Sequence, residues 1–353
     1  MILTSLTTQS FRNLAEAEAT FHPQANILIG RNGQGKTNLL EAIYFLATTK
    51  SFRTPRIASL FRFFSASVFV SGVLQRGVEK TLSVGLESGE SKKRVLMING
   101  ERVTLPLYLN AMSVFAYSAS RLEIIRGAPE ERRRFLDRGI ASVNPAYLEQ
   151  LTRYGRVLRQ RNALLQSGKT SGLEAWDAEL LAAAAPVQQA RAAYGELLAA
   201  SFGEIVDAHD YHVRGLQLIY RPSVASIAAR RDELRARMSL SGPQRDNLDF
   251  VLEGRPAAEV LSGGELKMIV LFLKFAKLAL FRSRTDEAPL FLLDDIDAEL
   301  DLEILQQLLS KLPAQTQVFA TSAKEAFLHA LEAGPHRRLT IENGRVTASR
   351  DFA

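Results

Sequence analysis

The feature that most constrains this chain is eight residues long. Gly30-Arg31-Asn32-Gly33-Gln34-Gly35-Lys36-Thr37 has the spacing Gly-x4-Gly-Lys-Thr, and the elements such a loop needs stand on either side of it. Asn26-Ile27-Leu28-Ile29 before it is a short apolar run of the buried-strand type, and Asn38 to Leu46 after it carries apolar residues at helical spacing. Strand, glycine-rich loop and helix in that order make a phosphate cradle. Glycines let backbone N–H groups converge on phosphate oxygens with no Cβ in the way, and the helix N-terminus adds partial positive charge. In such a cradle Lys36 neutralises the β- and γ-phosphates and the Thr37 hydroxyl ligates Mg2+. Gly30 through Asn38 are the expected nucleotide contacts, with ATP and Mg2+ as cofactors.

Two further segments extend this reading. Leu290 to Leu293 is an apolar run that ends in Asp294 and Asp295. Alone, it reads better as a strand end meeting a solvated acidic loop. Beside a phosphate cradle, it reads as the second element of a P-loop NTPase, with Asp294 holding Mg2+ through a water and Asp295 polarising the attacking water. Leu261-Ser262-Gly263-Gly264-Glu265 precedes a helical pattern. It is either an ordinary Ser N-cap or a bare helix N-terminus with an added hydroxyl donor, suited to a γ-phosphate. In this company it resembles the signature motif of ABC-type ATPases, where that phosphate belongs to the opposite subunit. The resemblance implies an ATP-sandwiched homodimer with Ser262, Gly263 and Gly264 as nucleotide contacts. Glu299-Leu300-Asp301 stands where a D-loop belongs, and Thr321-Ser322 where a γ-phosphate sensor is expected. No His stands at that position, and Asp295 replaces the usual catalytic Glu.

Composition excludes several alternatives. With 353 residues, 46% apolar and 23% charged, the chain is globular in type, not a disordered chain, collagen-like repeat or coiled-coil rod. There is no Cys, which removes disulfide frameworks, thiolate metal sites and Cys nucleophiles. Met1 to Ser10 lacks the basic region of a signal peptide. Met268 to Phe281, the most apolar stretch, is too short and too charged (Lys274, Lys277) to span a bilayer. A cytoplasmic protein without a membrane partner is expected. Net charge is +6, and residues 121 to 161 hold ten Arg against five acids. Two readings stay open for that cluster. Arg132, Arg133, Arg134, Arg156 and Arg159 are candidate DNA contacts; equally, the helix face is solvated and internally paired, for example Arg133 with Asp137.

Residues 66 to 117 read as a β-meander with a hairpin turn at Asn99-Gly100. Residues 129 to 206 read as helix, opened by Pro129, Glu130 and Glu131, with Gly168 and Gly172 marking a turn. Trp176 and the Phe61, Phe63, Phe64 cluster read as core. The expected fold is α/β: an ABC-type P-loop ATPase head with mixed β-sheets, residues 1–125 and 207–353, plus a helical second lobe, 126–206, inserted between the phosphate loop and the signature motif. The insertion is far too short for the long coiled coils of SMC proteins.

Beyond the shared ATPase motifs, the chain resembles the RecF family of bacterial recombination mediators from end to end. The resemblance rests on Phe11-Arg12-Asn13-Leu14, on Gly35 to Tyr44, on Lys50-Ser51-Phe52-Arg53, on Arg126-Gly127-Ala128-Pro129-Glu130-Glu131-Arg132-Arg133-Arg134-Phe135-Leu136-Asp137, and on Tyr154 to Leu165. The family's Pro-Glu-Asp appears here as Ala119-Ser120-Arg121, and its Gly-Pro-His-Arg-Asp-Asp as Gly242-Pro243-Gln244-Arg245-Asp246-Asn247. The resemblance adds Arg12, Asn13 and Arg53 to the nucleotide contacts. It implies a protein that binds DNA at gaps or single-strand/double-strand junctions, dimerises with ATP, hydrolyses it slowly as a switch, and acts with RecO and RecR in RecA loading.

Overall fold

The fold comes from a computed structural model, which describes residues 1–88, 94–118, 122–168, 170–208, 213, 215–224, 226, 230–285, 287–296, 302–310, 312, 315–322 and 334–352. The chain divides into two compact units, Met1–Arg121 with Asp286–Ala353, and Leu122–Thr285. By compactness, residues 207–285 therefore group with the helices that precede them.

In the first unit a helix lies between two six-stranded sheets. Strands β1 (Ile2–Phe11), β2 (Leu14–Thr20), β4 (Ser67–Arg76), β5 (Val78–Glu87), β6 (Arg94–Ile98) and β7 (Glu101–Arg102) form an antiparallel sheet in the order β2-β1-β4-β5-β6-β7. Asn99-Gly100 turns β6 into β7 with both residues at positive φ, as a type I′ hairpin requires. The second sheet contains β3 (Ala25–Ile29), β8 (Val114–Ser118), β12 (Leu290–Asp294), β13 (Val318–Thr321), β14 (His336–Glu342) and β15 (Arg345–Phe352), in the order β15-β14-β3-β13-β12-β8. Five of these strands run parallel; only β15 is antiparallel to its neighbour.

Helix α1 (Lys36–Thr48) fills the space between the sheets, and α2 (Leu105–Leu109) and α10 (Leu302–Ser310) also belong to the unit. Leu40, Ile43, Phe45 and Leu46 of α1 join one core with Leu3 and Leu6 of β1, Val70 of β4, Leu292 of β12 and Phe319 of β13. A helix covered on both sides has no polar face to show, which is why its apolar residues do not form a single stripe. β12 is buried at every position, as a central parallel strand under helices must be.

Two expectations fail here. The meander ends at β7: after α2, the chain enters β8, which pairs in parallel with β12 in the other sheet. The apolar strand pattern of 114–117 could not say which sheet it joins. Phe63 and Phe64 are not core residues but fully exposed. They occupy the tip of a turn closed by Ser65 N–H donating to the Arg62 carbonyl, and Phe64 has φ +64°.

The second unit is mainly helical. It contains α3 (Glu123–Arg126), α4 (Pro129–Val143), α5 (Tyr147–Ser167), α6 (Leu173–Asp207), α7 (Arg230–Ala236), α8 (Ala257–Val260) and α9 (Gly263–Arg284), with a small sheet β11-β10-β9 of β9 (Gln217–Arg221), β10 (Asn247–Leu252) and β11 (Arg255–Pro256). Pro129 occupies the start of α4 with Glu130 and Glu131 in its first turn, and α5 ends at Gly168 in the left-handed conformation. α6 buries Leu180, Ala183, Ala184, Val187, Tyr194, Leu198 and Phe202, a stripe at helical spacing that passes through Pro186. Among the described residues, no helix is long and apolar enough to cross a membrane.

Candidate nucleotide site

In a parallel sheet, the strands' C-terminal ends share one edge, and ligands bind there. On this edge β3 runs into Gly30–Gly35 and α1. β13 lies between β3 and β12, so its last residue, Thr321, stands between the loop and Asp294 at the end of β12. Ser118 ends β8 directly opposite Asp294.

Their side chains converge on one carboxylate. Thr321 Oγ1 donates to Asp294 Oδ1 at 3.1 Å and Ser118 Oγ to Asp294 Oδ2 at 3.3 Å, while Thr37 of the loop also hydrogen-bonds it. Asp294 is buried. Burial, then the neighbouring charge of Asp295, pushes its carboxyl up to about 6, although the Thr37 and Thr321 hydroxyls and the Arg53 charge pull the other way. Asp295 itself is exposed, at φ +51°, with its N–H donating to Thr321 Oγ1 at 2.9 Å. Lys36 lies back over the loop, its Nζ donating to the carbonyls of Gly30 (2.7 Å) and Arg31 (3.2 Å).

A second carboxylate organises the helix side of the loop. Glu41 on α1 is buried and accepts two hydrogen bonds from Arg12, Nε at 2.8 Å and Nη2 at 2.7 Å. It also accepts from the Ser51 hydroxyl, and from Arg53 Nη1 at 3.4 Å. Arg53 Nη1 donates to Asn38 Oδ1 at 2.7 Å, Asn38 Nδ2 to Asn13 Oδ1 at 2.7 Å, and Asn13 Nδ2 to the Gly33 carbonyl at 3.4 Å. Arg12, expected as a nucleotide contact, is thus committed to Glu41. Asn13 touches the loop directly at Gly33, and Arg53 joins its rim through Asn38. A bidentate Arg–carboxylate pair of this kind sets geometry as well as charge.

The loop's outer side is held by the β14–β15 turn. Asn343 N–H donates to Gln34 Oε1 at 2.7 Å, and Gly344 N–H to the Gln34 carbonyl at 2.9 Å. The approach is close enough to exclude side chains. A Cβ on Gly344, whose φ is +74°, would lie 2.2 Å from the Asn13 carbonyl oxygen, and one on Gly30 would lie 2.4 Å from that of Ile341.

The sequence assigned no site role to Ser118, Glu41, Ser51 or the Asn343-Gly344 turn. Two signals were present: a lone charge within the apolar α1 pattern, and an Asn-Gly dipeptide between strands. Neither identifies a partner so distant along the chain. Glu299-Leu300-Asp301 and Ala119-Ser120-Arg121 lie outside the described residues.

The second unit carries the other candidates. Ser262 caps α9 in a full capping box: its Oγ accepts from Glu265 N–H at 3.3 Å, and Glu265 Oε2 accepts from Ser262 N–H at 2.7 Å. Gly263 and Gly264 form the first turn of that helix. The arginines of α4 are largely occupied. Arg132 donates to Asn247 Oδ1 (2.8 Å) and the Gly127 carbonyl (2.9 Å), Arg133 to the Asp246 carbonyl (2.9 Å), and Arg134 to Glu130 and Glu131. The expected Arg133–Asp137 pair does not form. Asp137 is held by Arg191 at 2.8 and 2.9 Å and by the Tyr147 hydroxyl, because Arg191 is buried in α6 and needs the charge. Arg191 also binds Asp246 (2.9 Å) and the Pro243 carbonyl (2.6 Å), tying the Gly242–Asn247 segment to α6. Arg161 is fully buried against Asp177 and Glu233. Arg156 and Arg159 of α5 are exposed.

Comparison with known proteins agrees with this geometry. The family model described as RecF/RecN/SMC N terminal domain matches residues 2–344. The DNA replication and repair protein RecF of Geotalea daltonii is 32% identical over 98% of this chain and 100% of its own length, and that of Myxococcus xanthus 34% over 99% and 98%. A solved structure of the recombination mediator protein RecF with ATP, in the RecFOR pathway, superposes with a TM-score of 0.86 at 26% identity, over 100% of this chain and 98% of that one. An SMC head bound to the C-terminal winged-helix domain of ScpA shares the fold, with a TM-score of 0.58 at 15% identity. From the phosphate loop to the last strands, the chain belongs to the RecF family of DNA replication and repair proteins, within the wider RecF/RecN/SMC group.

Proposed function

We propose that the chain is an ATP-gated DNA-binding protein of replication repair and recombination. The observation that carries this reading is the edge where the Gly30–Thr37 loop, the buried Asp294 and Thr321 meet on adjacent parallel strands. Backbone N–H groups of Gly30 to Gly35 and the N-terminus of α1 would hold the phosphates, with Lys36 moving from the loop carbonyls onto the β- and γ-phosphates. Asn13, Arg31, Asn32, Gln34, Asn38 and Arg53 would line the rim, and Arg12 would position them through Glu41. The donor set suits Mg2+: a buried carboxylate whose charge is disfavoured until a cation arrives, beside a Thr hydroxyl. Thr37 and Asp294 would hold that ion, which supplies charge neutralisation to the phosphates. Asp295 would orient the attacking water; as a shorter side chain than Glu it suits slow turnover, a switch more than a motor.

Ser262, Gly263 and Gly264 would close on the γ-phosphate of a second copy, making an ATP-dependent homodimer. In this reading residues 1–125 and 207–353 act as the ATPase head and 126–206 as the helical lobe. DNA with gaps or single-strand/double-strand junctions is the partner, and exposed Arg156 and Arg159 are the contacts favoured within the 121–161 cluster. Because the solved relative is a mediator in the RecFOR pathway, we place this chain, in the cytoplasm, with RecO and RecR in RecA loading.

The test is sedimentation of wild type and Lys36→Met with no nucleotide, with ADP and with ATP, each with and without gapped duplex DNA. ATP should drive the wild type alone to a dimer that holds DNA. A wild type that binds ATP yet stays monomeric at saturation overturns the sandwich.

A further inference from the structure

The segment that begins at Ser51 and Arg53 ends in two aromatic rings presented to solvent. Phe63 and Phe64 are 90% and 105% exposed, with ring centroids 6.2 Å apart. The base beneath them is firmly held: Arg12 N–H donates to the Leu60 carbonyl at 2.8 Å, Arg62 N–H to the Ser10 carbonyl at 2.9 Å, and Phe61 bridges Phe11 in antiparallel fashion. Arg62 to Ser65 then forms a tight turn with the two Phe at its tip. A bulky residue at φ +64° is strained, and two exposed Phe cost solvation. Sequences that break local rules without an internal gain do so at functional sites.

The charge around the rings narrows the partner. From Lys50 to Ser65 the sequence has no Asp or Glu, but it has Arg53, Arg56 and Arg62, of which Arg53 is paired with Glu41. Arg62 opens the turn and Arg56 precedes the short 3-10 turn Ile57–Leu60 leading to it, both exposed. A second copy of this face would repel it. A polyanion with stackable faces fits both features: single-stranded nucleic acids are bound by aromatic side chains that stack bases and by cations that follow the backbone.

We propose that Phe63 and Phe64, flanked by Arg56 and Arg62, form a stacking platform for unpaired DNA bases, so that this face reads the single-stranded side of a gap or junction. The platform deepens the DNA-binding reading above and rests on it. Stacking distinguishes unpaired from paired bases, because a duplex keeps its faces covered.

The test uses the full chain with ATP and a fluorescein-labelled oligo-dT, against a matched duplex. Phe63→Ala/Phe64→Ala should lose about tenfold or more in oligo-dT affinity while its duplex affinity stays within about twofold and its melting temperature is kept. Phe64→Trp should retain affinity, and its new indole emission should be quenched by oligo-dT. Arg56→Ala/Arg62→Ala should weaken both DNAs and flatten the salt dependence. Equal oligo-dT binding by wild type and the double Phe variant overturns the platform while leaving DNA binding intact. A wild type that binds no DNA at all overturns the underlying reading instead. Loss of binding to anionic phosphatidylserine vesicles, with oligo-dT affinity unchanged, would assign the rings to a lipid surface and also overturn the platform.

Discussion

Replacing Asp294 with Asn should make the nucleotide-free protein more stable while disabling the site. The carboxyl is raised from 3.8 to about 6, so between about pH 4 and pH 6 the folded state keeps a proton that the unfolded chain has released. Protons bound in excess by the folded state mean that stability falls as pH rises through this window and stays low above it. Raising that carboxyl from 3.8 to about 6 costs about 3 kcal/mol near neutral pH, at about 1.36 kcal/mol per pH unit. Asn carries no charge to desolvate. It can still accept from Thr321 Oγ1 or Ser118 Oγ, since hydroxyls on both sides can reverse roles with its amide. Melting curves in about half-unit steps from roughly pH 4.5 to 8 should show the wild-type transition falling with pH toward about 6 and the variant's remaining flat. At about pH 8 the variant should melt higher by about 6–12 °C, at 2–4 °C per kcal/mol. Mg-ATP should then raise the wild-type transition and leave the variant's unchanged, because the cation that the buried charge awaits has lost its ligand. A variant that melts below the wild type at pH 8, or a wild-type curve flat across the window, refutes the claim that Asp294 is held at a cost for a cation.

Three other outcomes follow from the same geometry. Gly344→Ala should reduce fluorescent-nucleotide affinity by more than about tenfold, since its Cβ would meet the Asn13 carbonyl at 2.2 Å; Gly254→Ala, at a similar φ but with no atom within 4 Å, should cost only about 1 kcal/mol in a urea melt and leave nucleotide binding alone. Glu41→Gln strands the Arg12 and Arg53 charges beside α1; because both arginines keep some water, the loss in urea melts should be about 2 kcal/mol, below the 3–5 of a fully buried pair, with weakened nucleotide binding in the same titration. Arg156→Ala/Arg159→Ala should lower affinity for gapped DNA in anisotropy titrations and reduce the salt slope by about 2, whereas Arg161→Ala should unfold the second unit's packing instead, as its guanidinium is buried against Asp177 and Glu233.

The site depends on restraint from three directions. Glu41 holds the helix side, the Asn343-Gly344 turn holds the outside of the loop, and Thr321 links the loop's neighbour strand to Asp294. Each restraint fixes backbone that would otherwise have to be ordered by the ligand, and pre-ordered donors bind more tightly because less entropy is lost on binding.

Local chemistry was legible before any fold was known. Gly30 to Thr37 could be read because phosphate binding is done by backbone geometry that only a few residue types permit, within eight consecutive positions. The α1 and α9 helices, the β3 and β12 strands and the Asn99-Gly100 hairpin were legible for the same reason: each follows from periodicity or dihedral preference inside one short window. What lay beyond such windows was decided by tertiary structure. An apolar strand at 114–118 has the same pattern in either sheet, and only pairing with β12 placed Ser118 on Asp294. An arginine's charge is visible in a sequence but its partner is not, so Arg12, Arg132, Arg133 and Arg161 turned inward while Arg156 and Arg159 stayed outside. Phe63 and Phe64 show the same limit in reverse: hydrophobicity predicts burial as an average tendency, but whether a ring finds a core depends on where the chain on either side of it is pinned.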